Sequence, residues 1–358
     1  MTKILFEGSI FLHQKIGGIS NYIVELNERL KKHNVNSKII SMFSINEYLA
    51  EKSSNKVSFF KIKKIPKFCR KIFFYLNDLF LLLYIKIYKP DLVHFSYYNG
   101  KLIPRLKVPY VVTIYDLIHE KLDLNDKQFP KSEMLDKAKH IICISNTTKN
   151  DLIERYNVDQ KKVSTIFLGV NNTNIYKEKK DKYILYVGDR KGYKNFESIV
   201  KAFGNSSFLK KNYKLICFGG DKFSSKEKLF FDKIGIKKNL FQEFGNDQYL
   251  KKFYESASLF VNTSLIEGFG LTNLEAMSYG CPVLCSEIPI FREILGNSCE
   301  YVEPKNIEII QKKIEKILKS QNEQKRLIRL GFNKISNYSW ENCVLSTSKI
   351  YEKIISEK

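Results

Sequence analysis

Two doubly wound α/β units are predicted for this chain, on three observations. Short apolar, β-branched or aromatic runs recur with helix-length segments between them, the pattern of parallel sheets covered by helices. The 358 residues exceed what one hydrophobic core usually organises. Midway lies a polar stretch, Gly169-Val-Asn-Asn-Thr-Asn, followed by Lys177-Glu-Lys-Lys-Asp, the strongest linker signal in the chain.

In the first half the predicted strands are Lys3 to Glu7, Lys38 to Met42, Val57 to Ile62, Leu92 to Ser96, Tyr110 to Tyr115, Ile141 to Ser145 and Val163 to Phe167. A loop with Gly17 and Gly18 follows the first of them and leads into an amphipathic helix through Leu30. In the second half the strands are Tyr183 to Val187, Lys214 to Phe218, Leu240 to Phe244, Leu259 to Asn262, Pro282 to Cys285 and Glu300 to Val302. The boundary falls near Asn172 to Lys180, giving one domain over 1–172 and a second over 173–339.

Lys and Arg number 60 against 38 Asp and Glu, a net charge of +22 that draws the protein toward phosphates, anionic lipid or nucleic acid. A genome biased toward Lys, Ile and Asn codons leaves the same excess on a solvated surface, so charge alone does not choose. A nucleic-acid-binding protein would suit the charge and the 13% aromatic content. No recognition motif appears, however, and nucleic acid is not an expected partner. The seven scattered cysteines read as small core hydrophobes in a reducing compartment, and Cys281 and Cys285 lack metal-ligand spacing. The first apolar run is interrupted at Glu7, too soon for a signal-peptide core, so a cytoplasmic location is expected.

From Lys52 to Asn77 there is no acidic residue, and Lys61, Lys63, Lys64, Lys67, Arg70 and Lys71 precede an apolar run to Lys89-Pro90. As a helix from about Pro66, its polar positions 67, 71, 78 and 89 fall on a narrow stripe. Such a segment either covers its sheet as an ordinary crossover helix or lies in an anionic membrane interface through 61–89. Asn77, Asp78 and Lys86 break it too often for a membrane span.

The most informative stretch is Ser264-Leu-Ile-Glu267-Gly268-Phe269-Gly270-Leu271-Thr-Asn-Leu-Glu275-Ala-Met-Ser-Tyr-Gly280-Cys-Pro282. It parses as strand, glycine loop, short helix and stop. The glycines admit a ligand close to the backbone, and the helix start presents N–H groups to an anion. Glu267 and Glu275 can accept hydrogen bonds from sugar or ribose hydroxyls. A second stretch, Ile184-Leu-Tyr-Val-Gly188-Asp-Arg190-Lys-Gly192-Tyr-Lys194-Asn195, is a strand running into a basic glycine loop, with cations suited to a diphosphate. Without the glutamate stretch, it would read as a solvated basic loop. Asp116 and His119 follow the strand Tyr110 to Tyr115, at the strand end where open α/β sheets place ligands. His94, inside its strand, reads as a core histidine.

These stretches resemble the paired-glutamate motif and phosphate-gripping loop of retaining glycosyltransferases of family 4, within the two-domain architecture called GT-B. Ser145-Asn-Thr-Thr-Lys-Asn-Asp151, Phe167-Leu-Gly169-Val170 and Tyr338-Ser-Trp340-Glu341 extend the resemblance over most of the chain. It implies two Rossmann-like domains facing across a cleft, with a final helix, 340–358, crossing back to the first. It further implies that Glu267 contacts the donor sugar, that Gly188, Gly268, Phe269, Gly270 and Leu271 line the donor, and that Glu275 binds the ribose. Arg190 and Lys194 become the diphosphate cations, and Gly17 and Gly18 face donor phosphate and acceptor. Relatives carry a His-Asp pair where this chain has Tyr115-Asp116; His119, three residues on, either replaces that histidine or is a loop residue.

The implied reaction is hexosyl transfer with retention from a nucleoside-diphosphate sugar to a glycan or lipid-linked glycan, as in bacterial surface polysaccharide synthesis. The resemblance makes Glu267 a donor-positioning group rather than a nucleophile. No Asp-x-Asp triplet occurs, so neither a metal nor a cofactor is expected. A sugar-nucleotide epimerase of the same fold is the alternative within this architecture, and a silent glycan binder a more distant one.

Overall fold

A computed structural model of the chain describes residues 2–122, 131–190 and 192–357. The chain divides into two compact units, Met1–Gly169 with Trp340–Lys358, and Val170–Ser339. Each is an α/β unit built on one all-parallel main sheet. No helix among the described residues is long and apolar enough to cross a membrane.

The first unit has seven strands: β1 (Thr2–Glu7), β2 (Val35–Ile40), β3 (Lys56–Val57), β4 (Leu92–Phe95), β5 (Tyr110–Ile114), β6 (His140–Cys143) and β7 (Val163–Thr165). Their order is β3-β2-β1-β4-β5-β6-β7. All residues of β4, β5 and β6 are buried, as continuous apolar runs covered on both faces should be. Helices α1 (Gly18–Leu30) and α2 (Arg70–Tyr88) follow β1 and β3. The C-terminal helix Trp340–Ser356 belongs to this unit. Trp340 stacks on Tyr22 with ring centroids 6.2 Å apart. A Cβ on Gly169 would fall 2.5 Å from the Trp340 ring, so only glycine lets this chain pass. His94 is indeed a core histidine: its ring nitrogens lie 2.5 Å from Tyr351 Oη and 2.8 Å from Thr113 Oγ1.

Two expectations for this unit are corrected. The run Val57 to Ile62 is not one strand: Val57 pairs with Ile40, whereas Phe60–Lys61 joins Phe43–Ser44 in a separate small ribbon. The backbone switches partner where the amides of Phe59 and Phe60 both donate to Met42 O. Nor is the polar stripe alone in facing water: Lys71 and Lys89 are exposed, but so are apolar positions of α2. Asp78 is half-buried and accepts from Asn99, while Ile72, Tyr75, Leu79, Leu83 and Ile87 are exposed. The helix is fixed from its opposite face by buried Asn77, which bonds both N–H and C=O of Phe43.

The second unit has β8 (Asp181–Val187), β9 (Lys214–Phe218), β10 (Leu240–Glu243), β11 (Ala257–Asn262), β12 (Val283–Ser286) and β13 (Glu300–Val302), in the order β10-β9-β8-β11-β12-β13. Strand order reverses between β8 and β11, and in such sheets ligands bind beyond the carboxyl ends at this switch point. Helices α3 (Phe196–Asn205) and α4 (Leu271–Ser278) follow these two strands. Ile184, Leu215, Leu259 and Leu284 of the sheet share a core with Ile199 and Phe203 of α3.

Candidate active site

Both informative stretches lie at this switch point. β8 runs into Gly188, whose φ of +126° excludes other residues on backbone grounds, since the space around its missing Cβ is open. A short turn, Gly192–Lys194, then leads to Asn195, which enters α3 with φ +51°. Asn195 binds three segments together: its side-chain N–H groups donate to Thr263 O and Pro304 O, and its own carbonyl accepts from Thr263 Oγ1. Leu265 N donates to Tyr193 O at 2.7 Å, closing the loop after β8 onto the loop after β11. Lys191 lies outside the described residues.

That closure brings Lys194 to Glu267. Lys194 Nζ donates to Glu267 Oε1 at 2.6 Å, and Ser264 Oγ lies 2.9 Å from the same oxygen. Gly268, Phe269 and Gly270 are buried behind the pair, Phe269 lying edge-on to Tyr338. Gly270 starts α4 at φ +88°, and a Cβ there would sit 2.6 Å from the Phe291 ring. No side chain caps the helix, which opens with half-buried Leu271. Glu275 lies just over a turn in, and buried Tyr254 donates to it at 3.1 Å. Burial first, and then the neighbouring Glu275, push the Tyr254 hydroxyl well above its ordinary pKa, so it stays a donor.

Arg190 is arranged differently. Its side chain is only 6% exposed: Nε donates to Glu227 at 2.7 Å, Nη2 to Asp221 O at 2.5 Å and Nη1 more weakly to Gly219 O. The Phe223 ring lies 4.6 Å from the guanidinium carbon. Burial alone would raise the Glu227 carboxyl, but the bonds from Arg190 and Ser224 outweigh it and hold it below the usual range. Arg190 therefore fixes the loop after β9, with two of its five N–H donors left over.

In the first unit, Gly17 and Gly18 lie on the path from β1 to α1, and Asp116 and His119 follow β5, at the same carboxyl edge with β4 between the strands. Gly17 is extended at φ 175°, a conformation open to any residue, and the atoms nearest its Cβ position are the end of the Gln14 side chain. Asp116 Oδ1 accepts from Ile118 N at 3.1 Å, and His119 is exposed on the short helix Ile118–Lys121. A second histidine, not singled out in the sequence, sits at this edge. His13 Nδ1 lies 2.8 Å from Arg70 Nη2, between the rings of Phe74 and Tyr97. Burial and the Arg70 charge lower its pKa to about 4, leaving it neutral. Glu7, at the end of β1, is buried and accepts from Ser9 N and Oγ. Burial, reinforced by Asp78, raises its carboxyl to about 8.

Comparison with known proteins places these units. The family model described as Glycosyltransferase Family 4 matches residues 16–173, and that described as Glycosyl transferases group 1 matches 171–334. The chain belongs to the family 4 glycosyltransferases. An O-antigen chain mannosyltransferase of Salmonella typhimurium is 32% identical over 209 residues, 58% of this chain and 57% of the relative. O-antigen chain mannosyltransferase B of Escherichia coli is 26% identical over 236 residues, 62% of each. The matches thus span about three-fifths of these relatives' length. The sucrose-phosphate synthase of Thermosynechococcus elongatus shares the GT-B fold, with a TM-score of 0.80 at 18% identity over all of both chains.

For this family 4 glycosyltransferase, the sequence motifs locate the loops after β8 and β11 but not the residues that hold them. Asn195, Glu227 and Tyr254 act through bonds to residues 21 to 109 positions away, a separation that no local pattern reports.

Proposed function

We propose that the protein is a retaining hexosyltransferase that moves a sugar from a nucleoside-diphosphate donor to a growing surface glycan, lipid-linked at the inner face of a membrane. The observation that carries this reading is the Lys194–Glu267 pair beside the open start of α4. As the sugar departs, negative charge develops on the diphosphate, and preorganised positive charge at that position lowers the barrier. Lys194, the α4 amides and the two remaining Arg190 donors supply it without a metal. Glu267, already held by Lys194 and Ser264, positions sugar hydroxyls rather than attacking carbon. The acceptor enters on the face from which the diphosphate leaves, and the leaving phosphate takes its proton. Glu275, oriented by Tyr254, accepts from the ribose hydroxyls. The names of the two relatives favour an O-antigen type of glycan and make mannose the first donor sugar to test.

The test is transfer to a lipid-linked glycan extract from a panel of UDP-, GDP-, ADP- and dTDP-sugars, with the new linkage read by NMR. The product should keep the donor's anomeric configuration. An inverted linkage would overturn retention, and an isomerised donor formed without acceptor would favour epimerase chemistry.

A further inference from the structure

Among the described residues, 18 large hydrophobic side chains are exposed, and eight of them fall between positions 59 and 87. Singly scattered apolar residues are ordinary, but a contiguous patch marks a surface that something covers. Here the patch is ordered. Phe68, Ile72, Tyr75, Leu79, Leu83 and Ile87 recur every three or four residues, within about a third of the helical circumference. Phe68 is 86% exposed and Ile87 70%. Phe59 and Phe60 extend the face sideways from the small ribbon, Phe59 packing edge-on to Phe80 of α2 at 5.3 Å.

We infer that this face lies in the interface of an anionic membrane. Its charge selects the occupant. Lys61, Lys63, Lys64, Lys71 and Lys86 are exposed on or beside it, and the only acidic residue from 59 to 87, Asp78, is half-buried and bound to Asn99. Lys86 falls within the apolar face itself. A second copy pairing through this face would oppose lysine to lysine, with no carboxylate to answer them, and interface cores are depleted of charge. Lipid accepts both features, because the apolar side chains enter the acyl boundary while the lysines meet headgroup phosphates. The 19 residues of α2, about 28 Å long, lie flat rather than cross. The Asn77 clamp ties the helix to the small ribbon at Phe43 with the apolar face outward.

Vesicle binding tests this without donor or acceptor, so its outcome is separate from that of the sugar-transfer reading. The purified protein is sedimented with phosphatidylcholine vesicles, with or without phosphatidylglycerol. Wild type should pellet only with the anionic vesicles and be released by salt. Lys61→Glu/Lys63→Glu/Lys64→Glu should weaken binding by about a hundredfold or more. Ile72→Ser/Leu83→Ser/Ile87→Ser should abolish it at an unchanged melting temperature. Wild type that ignores anionic vesicles, or variants that bind like wild type, would overturn the inference. So would a solution dimer of wild type that the apolar variant converts to a monomer, with no vesicle binding by either.

Discussion

Lys194 Nζ and Glu267 Oε1 are 2.6 Å apart, so the two residues placed at the donor site neutralise each other before any donor arrives. On the proposed reading, Lys194 bridges the donor's diphosphate to Glu267, which reaches the sugar hydroxyls from its held position. The two should therefore act as a unit. Lys194→Met and Glu267→Gln should each lower kcat by about a hundredfold to a thousandfold. The double variant should lose little more than the worse single one, which a double-mutant cycle measures. Additive losses would show independent roles.

Arg190 is set apart from Lys194 by its burial. Arg190→Ala removes the partner of Glu227 and two carbonyl contacts, and should cost about 1–3 kcal/mol of stability in the second unit. Lysine lacks the planar fork, so Arg190→Lys should recover little of this. Lys194→Met, at a side chain 23% exposed with one charged partner against the three bonds of Arg190, should cost less. Denaturant melts of the three variants check the contrast.

Tyr254 touches the Glu275 carboxylate through a single hydroxyl. Tyr254→Phe should raise KM for the donor about threefold to tenfold, in proportion to one hydrogen bond, and leave kcat near wild type. A fall in kcat with KM unchanged would remove Tyr254 from ribose binding.

Glu7 gives the first unit a pH signature. Its carboxyl is raised from 4.5 to about 8, so between these values the folded chain holds a proton that the unfolded chain has released. Its contribution to stability is fully present below about 4.5 and is lost as pH rises through about 8. Neutral Glu7→Gln removes that dependence. The wild-type melting temperature, taken relative to the variant's, should fall between pH 5 and pH 8. A flat difference would place the charged carboxylate in the folded state.

The sheets were legible because their strands are apolar runs bounded by turn residues, and the donor loops because glycine, cation and carboxylate sit close in sequence. Less legible were the features set by distant partners. Val57 to Ile62 is one apolar run, yet it serves two sheets because Met42 draws Phe59 and Phe60 away. Apolarity in α2 was plain, but which face stays uncovered depends on Asn77 reaching Phe43, 34 residues earlier. His13 escaped notice because its setting comes from Arg70, Phe74 and Tyr97, all far along the chain.

The proposed transfer requires the loops after β8 and β11 to hold a nucleoside-diphosphate sugar. Its most direct test is release of free nucleoside diphosphate from a panel of donor sugars, by wild type and by Glu267→Ala and Lys194→Ala. Turnover of one donor by wild type, lost in both variants while their folds persist, is the predicted result. Equal turnover by the variants, or no donor bound or consumed even with lipid-linked glycan present, would contradict it.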